Sequence, residues 1–393
     1  MPSQTPAHIA LSLRMLALAY FVQATGALSV IGALDVVAHE WTLSDTEAVY
    51  LISAFGTTFA LAAPMLQMLV GHIQRRRQVL MGLGLFSGAA LLFASAPNYP
   101  LLLLARVLMG MGAGLIGPVL GALGASMVER DHQGSAIATV LMGLSLSSLL
   151  GLPAASWLAH AYGPRALFAV VAAAGILCAL LIRLHVPDES VGERVNIATV
   201  VSLLTQGRSV SAFLVVFFLA TSVFTSQSML SPIVRDVYHA DAHVLATALL
   251  VLGGAGVLGN AFVGRMARQF SAERMLQIGM TLLAGSLVML KLSPPHLPLL
   301  YAALALFAFA TDILWPSQQR RIIEVMPAQR GVALALTSSF VFCGIGLGST
   351  IAGWVYPVAG FTGTLFASAT FLGLSMLCLR FSMAQAQKTC AYC

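Results

Sequence analysis

Charged residues are scarce in this chain of 393 residues. They make up 9% of the sequence, whereas hydrophobic residues make up 59% and the mean hydropathy is +0.90. A soluble domain carries about 25% charged residues, so a chain of this composition could not cover its surface in water. The lack of charge excludes most soluble classes and places the chain in a lipid bilayer.

Cysteine is also scarce, and its positions exclude a disulfide framework. Cys178, Cys343 and Cys378 lie in apolar runs, while Cys390 and Cys393 lie near the C-terminus. An extracellular scaffold would instead carry paired cysteines at regular spacings. The sequence also lacks a Walker loop, a G-x-G-x-x-G motif after a strand and an H-E-x-x-H motif. We therefore expect no enzymatic activity, no cofactor and no metal site.

Long apolar runs are what the sequence does contain. A helix that spans a bilayer takes about 20 apolar residues. Hydropathy along the chain predicts twelve such spans with short loops between them. Their approximate limits are 9–34, 48–70, 79–96, 101–127, 135–158, 166–184, 210–234, 245–263, 275–292, 297–316, 331–355 and 362–381. The predicted fold class is an all-α membrane protein of about twelve transmembrane helices.

The basic residues lie mostly on one side of the predicted spans. If the N-terminus is cytoplasmic, Arg165, Arg235 and Lys291 fall in outer loops and Arg106 falls within span 4. The other Lys and Arg residues fall in cytoplasmic segments: Arg14, Arg75, Arg76, Arg77, Arg130, Arg183, Arg194, Arg208, Arg265, Arg268, Arg274, Arg320, Arg321, Arg330, Arg380 and Lys388. Because cytoplasmic loops are enriched in Lys and Arg, we predict an inner-membrane protein with both termini cytoplasmic.

The two halves of the chain repeat each other at an offset of 197 residues. This offset pairs identical residues at seven positions: Arg77 with Arg274, Gly134 with Gly331, Ala136 with Ala333, Ala138 with Ala335, Gly151 with Gly348, Trp157 with Trp354 and Gly163 with Gly360. Agreement in a single register indicates an internal duplication. The predicted domains are a six-helix half 1–186, a cytoplasmic linker 187–209, a second six-helix half 210–382 and a tail 383–393.

Three motifs resemble those of the major facilitator superfamily. The loop between spans 2 and 3 ends in the basic run Arg75–Arg77, like the G-x-x-x-D-R-x-G-R-R/K signature of that family. Span 4 begins Arg106-x-x-x-Gly110-x-Gly112, similar to a motif of drug/proton antiporters. Span 5 has Gly151-x-Pro153, which resembles the sugar-efflux and arabinose-efflux permease branch. The resemblance implies two parallel six-helix halves that rock around a site near the membrane midplane.

The loop motif departs from the family pattern in ways that affect its predicted role. Gln67, Gly71 and Gln74 replace the first Gly, the Asp and the second Gly. In the family that Asp helps to latch the halves together on the cytoplasmic side. The latch is therefore absent here or rebuilt through Glu129 or Asp131. We assign a cytoplasmic gate to Arg75, Arg76, Arg77, Glu129 and Asp131.

Asp312 is an ionisable residue within the predicted spans and so a functional candidate. It lies about 22 Å along span 10 at 1.5 Å per residue. A carboxylate that is partly desolvated there suits a reversible proton carrier. A structural ion pair with Arg320 or Arg321 is the alternative interpretation.

Arg106 is the second such candidate. It lies about 9 Å inside the outer boundary on the same arithmetic. The resemblance implies a role in proton or substrate coupling. The alternative is that its long side chain snorkels to the outer headgroups.

Uncharged polar residues on three spans are candidates for a substrate cavity. They are Gln23 and Thr25 on span 1, Ser222, Thr225, Ser226 and Gln227 on span 7, and Thr337 and Ser338 on span 11. In a membrane helix each hydroxyl can instead bond a carbonyl of its own helix. A cavity of hydroxyls and amides suits a neutral or weakly charged amphipathic solute.

These observations predict a secondary active transporter that exports a small organic solute, such as a drug, sugar or nucleoside, in exchange for protons. An uncoupled facilitator or importer is the alternative, because Ala27 stands where related permeases carry a Glu on span 1. A non-transporting membrane sensor is a further alternative. The expected partners are the solute, protons and the lipid bilayer, with no nucleic acid, and the protein is expected to act as a monomer.

Overall fold

The computed structural model describes residues 6–129, 132–187, 197–266 and 268–391, and they are overwhelmingly helical. The helices of the first half are α1 (Pro6–Gly32), α2 (Leu34–Glu40), α3 (Asp45–Val70), α4 (Arg75–Ser95), α5 (Tyr99–Ser126), α6 (Gln133–Leu146) and α7 (Leu152–His185). After α8 (Ile197–Thr205) come α9 (Gly207–Gln227), α10 (Leu230–Tyr238), α11 (Ala242–Met266), α12 (Ala272–Leu292), α13 (Leu297–Val325) and α14 (Arg330–Ala391).

Local sequence signals fix where several of these helices begin. Before α3, the Ser44 hydroxyl accepts from the Glu47 N–H at 3.2 Å and the Glu47 carboxylate accepts from the Ser44 N–H at 2.8 Å. This reciprocal pair satisfies backbone donors that a helix start leaves open. Asn98 caps α5 in the same way through the N–H of Leu101. The polar residues of these short loops therefore set the helix ends.

Within the described ranges, ten continuous helices are long and apolar enough to cross a membrane, and two of them are long enough to cross it twice. They run over Ser135–His185 and Val332–Ala384, with 51 and 53 residues. Each contains one glycine with a left-handed backbone, Gly163 at φ 86° and Gly360 at φ 61°. The chain turns at these glycines, because other residues adopt such a φ only at a cost. The described residues thus make twelve crossings, as predicted.

The same two glycines support the internal duplication. They are one of the pairs related by the offset of 197 residues, and they turn the chain at matching places. Trp157 and Trp354, another such pair, are both exposed near these turns. The fold is therefore all-α, with two similar six-helix halves. The exact limits of the halves and the linker stay a prediction, since residues 188–196 lie outside the described ranges and α14 extends into the predicted tail.

Two helix pairs join the halves. Helix α3 packs on the first part of α14, where a Cβ on Gly56 would come within 2.9 Å of the Phe342 carbonyl oxygen. Helix α11 packs on a five-residue π-helical turn, Ser147–Gly151, between α6 and α7. There a Cβ on Gly253 would lie 2.6 Å from the Ser148 carbonyl oxygen. Glycine is required at both contacts because the two backbones nearly touch.

The contacts between the halves extend from the middle of the molecule toward one end. We call the end that holds Arg75, Arg208 and Arg320 the basic end, and the other the opposite end. At the opposite end Arg235 of α10 donates to Asp45 of α3 at 2.6 Å, and Thr46 donates to the Gly353 carbonyl at 2.9 Å. Toward the basic end a pocket separates the halves, lined by Ala63, Pro64, Gln67, Pro118, Val200, Val332, Ala335 and Leu336. Among the described residues, an ion pair thus joins the halves at the opposite end, and a small pocket lies between them toward the basic end.

Candidate functional site

Arg106 is completely buried and holds three helices together. Its guanidinium on α5 donates to the Leu51 carbonyl of α3 at 3.0 Å. It also donates to the Gly26 and Ala27 carbonyls of α1, at 3.1 and 2.6 Å. The Phe55 ring lies 4.7 Å below it. The alternative of a snorkelling side chain is wrong, because the side chain is 0% exposed and points between the helices.

The bonds of Arg106 explain how a charge is tolerated at this depth. A buried cation costs several kcal/mol unless its donors are satisfied. The carbonyl oxygens that Arg106 contacts lie within helices, where each normally accepts a backbone hydrogen bond. Each oxygen has a second lone pair, which can accept from the guanidinium. The packing of Gly26 against Phe86 keeps α1 close enough for this. Arg106 thus acts as a fixed cation in the first half.

Asp312 lies at the interface of α11 and α13 and is half-buried. Its Oδ1 accepts from the Asn260 side-chain amide at 3.1 Å. A Cβ on Gly256 would lie 3.0 Å from the Asp312 Cγ, so the missing side chain of Gly256 leaves room for the carboxylate. Among the described residues, no Arg or Lys lies within salt-bridge distance of Asp312. Its charge is therefore bonded to a neutral amide alone.

The two arginines considered as partners of Asp312 bind elsewhere. Arg320 pairs with Glu324 at 2.7 Å and donates to the Phe270 carbonyl at 3.0 Å. Arg321, 1% exposed, donates to the Ser382 hydroxyl at 2.6 Å and lies 3.6 Å from Glu273. Both arginines bond groups near the basic end. The alternative of an ion pair with Asp312 does not describe this structure.

The candidate cavity residues fall into two groups, and those of the first are not bonded to carbonyls of their own helix. The Thr25 hydroxyl donates to Ser147 in the π-helical turn at 3.0 Å, so spans 1 and 5 meet there. Gln23 is 2% exposed and its Oε1 has no hydrogen-bond partner. Ser226 and Gln227 line a small, mostly apolar pocket inside the second half, and the Ser226 hydroxyl is also unpartnered.

The second group is used in packing. Ser222 and Ser368 exchange two hydrogen bonds, each hydroxyl to the other's carbonyl, at 2.8 and 2.7 Å. Thr225, Thr337 and Ser338 donate to carbonyls four residues earlier in their own helices. This is the alternative that the sequence left open for hydroxyls in membrane helices. These four residues are satisfied within the second half in this structure.

The loop predicted to form the gate is bonded within the first half. The Arg76 guanidinium donates to the Val186 carbonyl at 2.7 Å. The buried Gln78 amide donates to the Gly71 and Ile73 carbonyls, and Gln67 donates to Gln78 at 3.3 Å. An amide cluster therefore holds the loop where the family has its Asp.

The remaining gate candidates are placed as follows. Arg75 is half-buried, and Arg77 and Glu129 are exposed. Asp131 lies outside the described residues. A latch through Glu129 or Asp131 stays a prediction.

Sequence reasoning missed contacts that join distant parts of the chain. Phe59 of α3 and Phe342 of α14 have ring centroids 3.8 Å apart between the halves. Asp35 of α2 contacts His160 of α7 at 3.1 Å. The signal for Asp35 and His160 was an ionisable residue near the end of each of two spans. Their pairing depends on how the spans pack.

Comparison with known proteins decides the family. The sequence profile of the Major Facilitator Superfamily matches residues 16–268 and again residues 212–389. Together these matches cover nearly the whole chain. The chain belongs to the Major Facilitator Superfamily. This superfamily member is therefore a multi-pass membrane transporter, and the family predicted from its motifs is confirmed.

Relatives of this Major Facilitator Superfamily chain include transporters of two bacteria. It is 29% identical over 371 residues to the inner membrane transport protein YdhP of Escherichia coli O157:H7, covering 92% of this chain and 93% of YdhP. It is 28% identical over 339 residues to the uncharacterized MFS-type transporter YbcL of Bacillus subtilis, covering 86% of this chain and 87% of YbcL. Both similarities extend through both halves.

A solved structure shows the same superfamily fold. The crystal structure of a mutant of the peptide transporter POT has a TM-score of 0.77 to this chain, covering 95% of this chain and 94% of that one. The sequences are only 14% identical, so the likeness concerns the fold alone. It confirms the predicted arrangement of about twelve helices in two halves.

Proposed function

We propose that this transporter exports a small organic solute from the cytoplasm across the inner membrane in exchange for protons. Both termini face the cytoplasm in this proposal, so the basic end is cytoplasmic. The protein acts as a monomer, since one chain supplies both rocking halves. The name of the relative YdhP, an inner membrane transport protein, supports the location.

The observation that carries the proposal is the environment of Asp312. Its carboxylate is half-buried within a span and is bonded to the neutral amide of Asn260. A carboxylate paired with an arginine would stay ionised, whereas one held by a neutral donor can gain and lose a proton. Asp312 is therefore the proton-binding residue in this proposal.

In this proposal Arg106 contributes to coupling by joining helices that move together. It binds the carbonyls of Gly26 and Ala27 on α1, and α1 contacts the second half through Gly32 and Leu249. A movement of α1 during transport would have to carry Arg106 and α5 with it. Arg106 thus makes α1, α3 and α5 move as one body.

The asymmetry between the two ends supports alternating access with the solute loaded from the basic end. The halves are joined at the opposite end by Arg235 and Asp45, while toward the basic end a pocket lies between them. This corresponds to a state that is closed to the outside. The unpartnered polar atoms of Gln23 and Ser226 are available to hydrogen-bond the solute, and their neutrality favours an uncharged or weakly charged one.

Reconstituted vesicles test the proposal. With a panel of drugs, sugars and nucleosides, a pH gradient should drive transport by the wild type. Asp312→Asn should lose the dependence on the gradient, because its amide cannot bind and release a proton, while Asp312→Glu should retain part of it. Counterflow measured without a gradient controls for folding. Transport by Asp312→Asn with its full pH dependence would overturn the assignment of Asp312.

An uncoupled facilitator is the second candidate, and the sequence of α1 favours it. Ala27 takes the place of the Glu of related permeases, and its carbonyl is bound by Arg106. The first half thus offers no carboxylate at that place. Counterflow that continues undiminished with an uncoupler, together with no response to a pH gradient, would support this candidate over proton exchange.

A further inference from the structure

Asp35 and His160 form a charged pair at the opposite end. Asp35 lies on α2 and His160 on α7, and the Asp35 Oδ2 is 3.1 Å from the His160 Nε2. The other ring nitrogen, Nδ1, lies 2.8 Å from the Ser156 carbonyl oxygen. The side chains of Asp35 and His160 are 27% and 17% exposed. The pair is therefore shielded but still reachable by a proton from the opposite side.

Both ring nitrogens of His160 face oxygens that accept hydrogen bonds. A carbonyl oxygen only accepts, so a hydrogen bond to Ser156 needs a hydrogen on Nδ1. A hydrogen bond between Nε2 and the carboxylate of Asp35 needs a further proton on one of these two atoms. Neutral His160 with ionised Asp35 would instead place a lone pair against an oxygen. The two contacts are therefore both satisfied when the pair holds one proton more.

The pair lies where the first half meets the second. Ser231 of α10 lies beside Asp35. Oδ1 of Asp35 and Oγ of Ser231 are buried and lack hydrogen-bond partners. A Cβ on Gly32 would come within 2.8 Å of Leu249 on α11 and 3.1 Å of Ser156. Closure of this end therefore removes water from the Asp35 carboxylate.

The other charges of this end are bonded to each other. Arg165 pairs with Glu40 at 2.6 Å, and Arg235 pairs with Asp45 and Asp236 at 2.6 and 2.7 Å. Further titratable groups on the helices packed there are His39, Glu47, Tyr99, Tyr238, Asp241, His243 and Tyr356. Among the described residues, His160 is the cation that contacts Asp35.

Burial acts to raise the pKa of Asp35, but the hydrogen bond and charge of His160, with the nearby Ser231 hydroxyl and Val36 backbone, together hold that pKa below the usual range.

We propose that Asp35 and His160 form a proton-binding site that locks the opposite end closed. With the proton bound, the buried Asp35 carboxylate is balanced by an imidazolium. Without the proton, closure would bury the Asp35 carboxylate next to Ser231 with no balancing charge, which costs free energy. Opening of this end lets water hydrate the carboxylate and removes that cost. By linkage, the closed state binds the proton more tightly, so low pH on that side favours closure. A role of this lock in coupling transport to protons rests on the proposed proton exchange. Proton binding by Asp35 and His160 does not depend on it.

Distances between spin labels test the lock directly. Labels on cysteines placed at the exposed residues Ser95 and His296, with the native cysteines replaced by alanine, report the separation of the halves at this end. The protein is measured in nanodiscs from about pH 5.5 to 8.5, a range around the usual histidine pKa. The ratio of closed to open molecules should fall as the pH rises, by at most about tenfold per pH unit for one proton.

Two substitutions and one matched control decide the outcome. His160→Gln keeps a donor for Asp35 but cannot titrate, so its distances should not change with pH, and Asp35→Asn should give the same result. His39→Gln, an exposed histidine of the same helix as Asp35, should titrate like the wild type. If His160→Gln and Asp35→Asn keep the wild-type titration, the lock is wrong. Asp312→Asn should keep the titration of distances, which separates failure of the lock from failure of proton-driven export.

Discussion

The two halves have the same fold but hold opposite charges in their interiors. The first half has Arg106, and the position related to it by the 197-residue offset is the buried Ala303. The second half has Asp312, and its counterpart is the buried Leu115. Arg106 has three carbonyl partners, whereas Asp312 has one amide. The two halves thus carry their charges at positions that the duplication does not relate, and the two charges differ in how many hydrogen bonds constrain them.

This difference indicates different roles. A fully bonded cation that no solvent reaches stabilises a packing arrangement, and its loss removes the hydrogen bonds that hold the helices together. A half-buried anion with one neutral donor costs less to neutralise. We therefore expect the first half to lose stability when its charge is removed, and the second half to lose function.

Removal of Arg106 should have the largest effect on folding. Arg106→Ala should lower the free energy of unfolding by roughly 2–5 kcal/mol, because it opens a cavity and removes the hydrogen bonds that join α5 to α1 and α3. Thermal unfolding in detergent measures the change. Asp312→Asn should change the same quantity by less than about 1 kcal/mol.

Arg183→Ala serves as the control for Arg106, since Arg183 is exposed on α7. It should leave stability within about 0.5 kcal/mol of the wild type. Equal losses for Arg106→Ala and Asp312→Asn would break the proposed contrast between the halves.

The turn glycines should respond alike, since here the halves are equivalent. A Cβ on Gly163 or on Gly360 meets no atom within 4 Å, so only the left-handed backbone opposes a side chain. Gly163→Ala and Gly360→Ala should each cost about 1–2 kcal/mol of unfolding free energy. Gly84→Ala, also in open space but helical, should be neutral or slightly stabilising. A large difference between the two turn variants would show that the halves are not equivalent there.

The ion pair between the halves should have the smallest effect. Asp45→Asn removes the charge that Arg235 of the second half contacts, with side chains 24% and 44% exposed. Exposed pairs contribute about 0.2–1 kcal/mol, so the ratio of closed to open molecules should fall by at most about fivefold. The same spin-label distances measure it. The loss should shrink at high salt, which screens exposed charges. A salt-independent loss would point to packing instead.

The number of spans could be predicted from the sequence because burial in lipid leaves a signal in every span. The breaks between spans could not be placed as well. Hydropathy predicted interruptions near 159–165 and 356–361, where the helices instead turn at one glycine each. Span 7 was predicted as one run, but it divides into α9 and α10 at Ser228 and Met229. Loss of a few backbone bonds changes the direction of a helix without changing its hydropathy.

The candidate site could be predicted only in part, because hydropathy and residue type do not show how the helices pack. The cost of a charge in lipid pointed to Arg106 and Asp312 as single residues. Their partners are the carbonyls of other helices and Asn260 on a neighbouring helix, and these depend on packing. For the hydroxyls, packing decided which candidates remained. Ser222, Thr225 and Ser226 lie on the same helix, but of these three only Ser226 lines a pocket and has an oxygen without a hydrogen-bond partner.

The glycines between α3 and α14 also have a mechanical consequence. At Gly56 the halves meet backbone to backbone, and at Gly253 the same is true of α11 and the π-helical turn. At these two points no side chain separates the backbones, so the distance between the halves is as short as the main chain allows. A methyl group added at either place would push the backbones apart, and we expect it to weaken the contact between the halves without changing any charge.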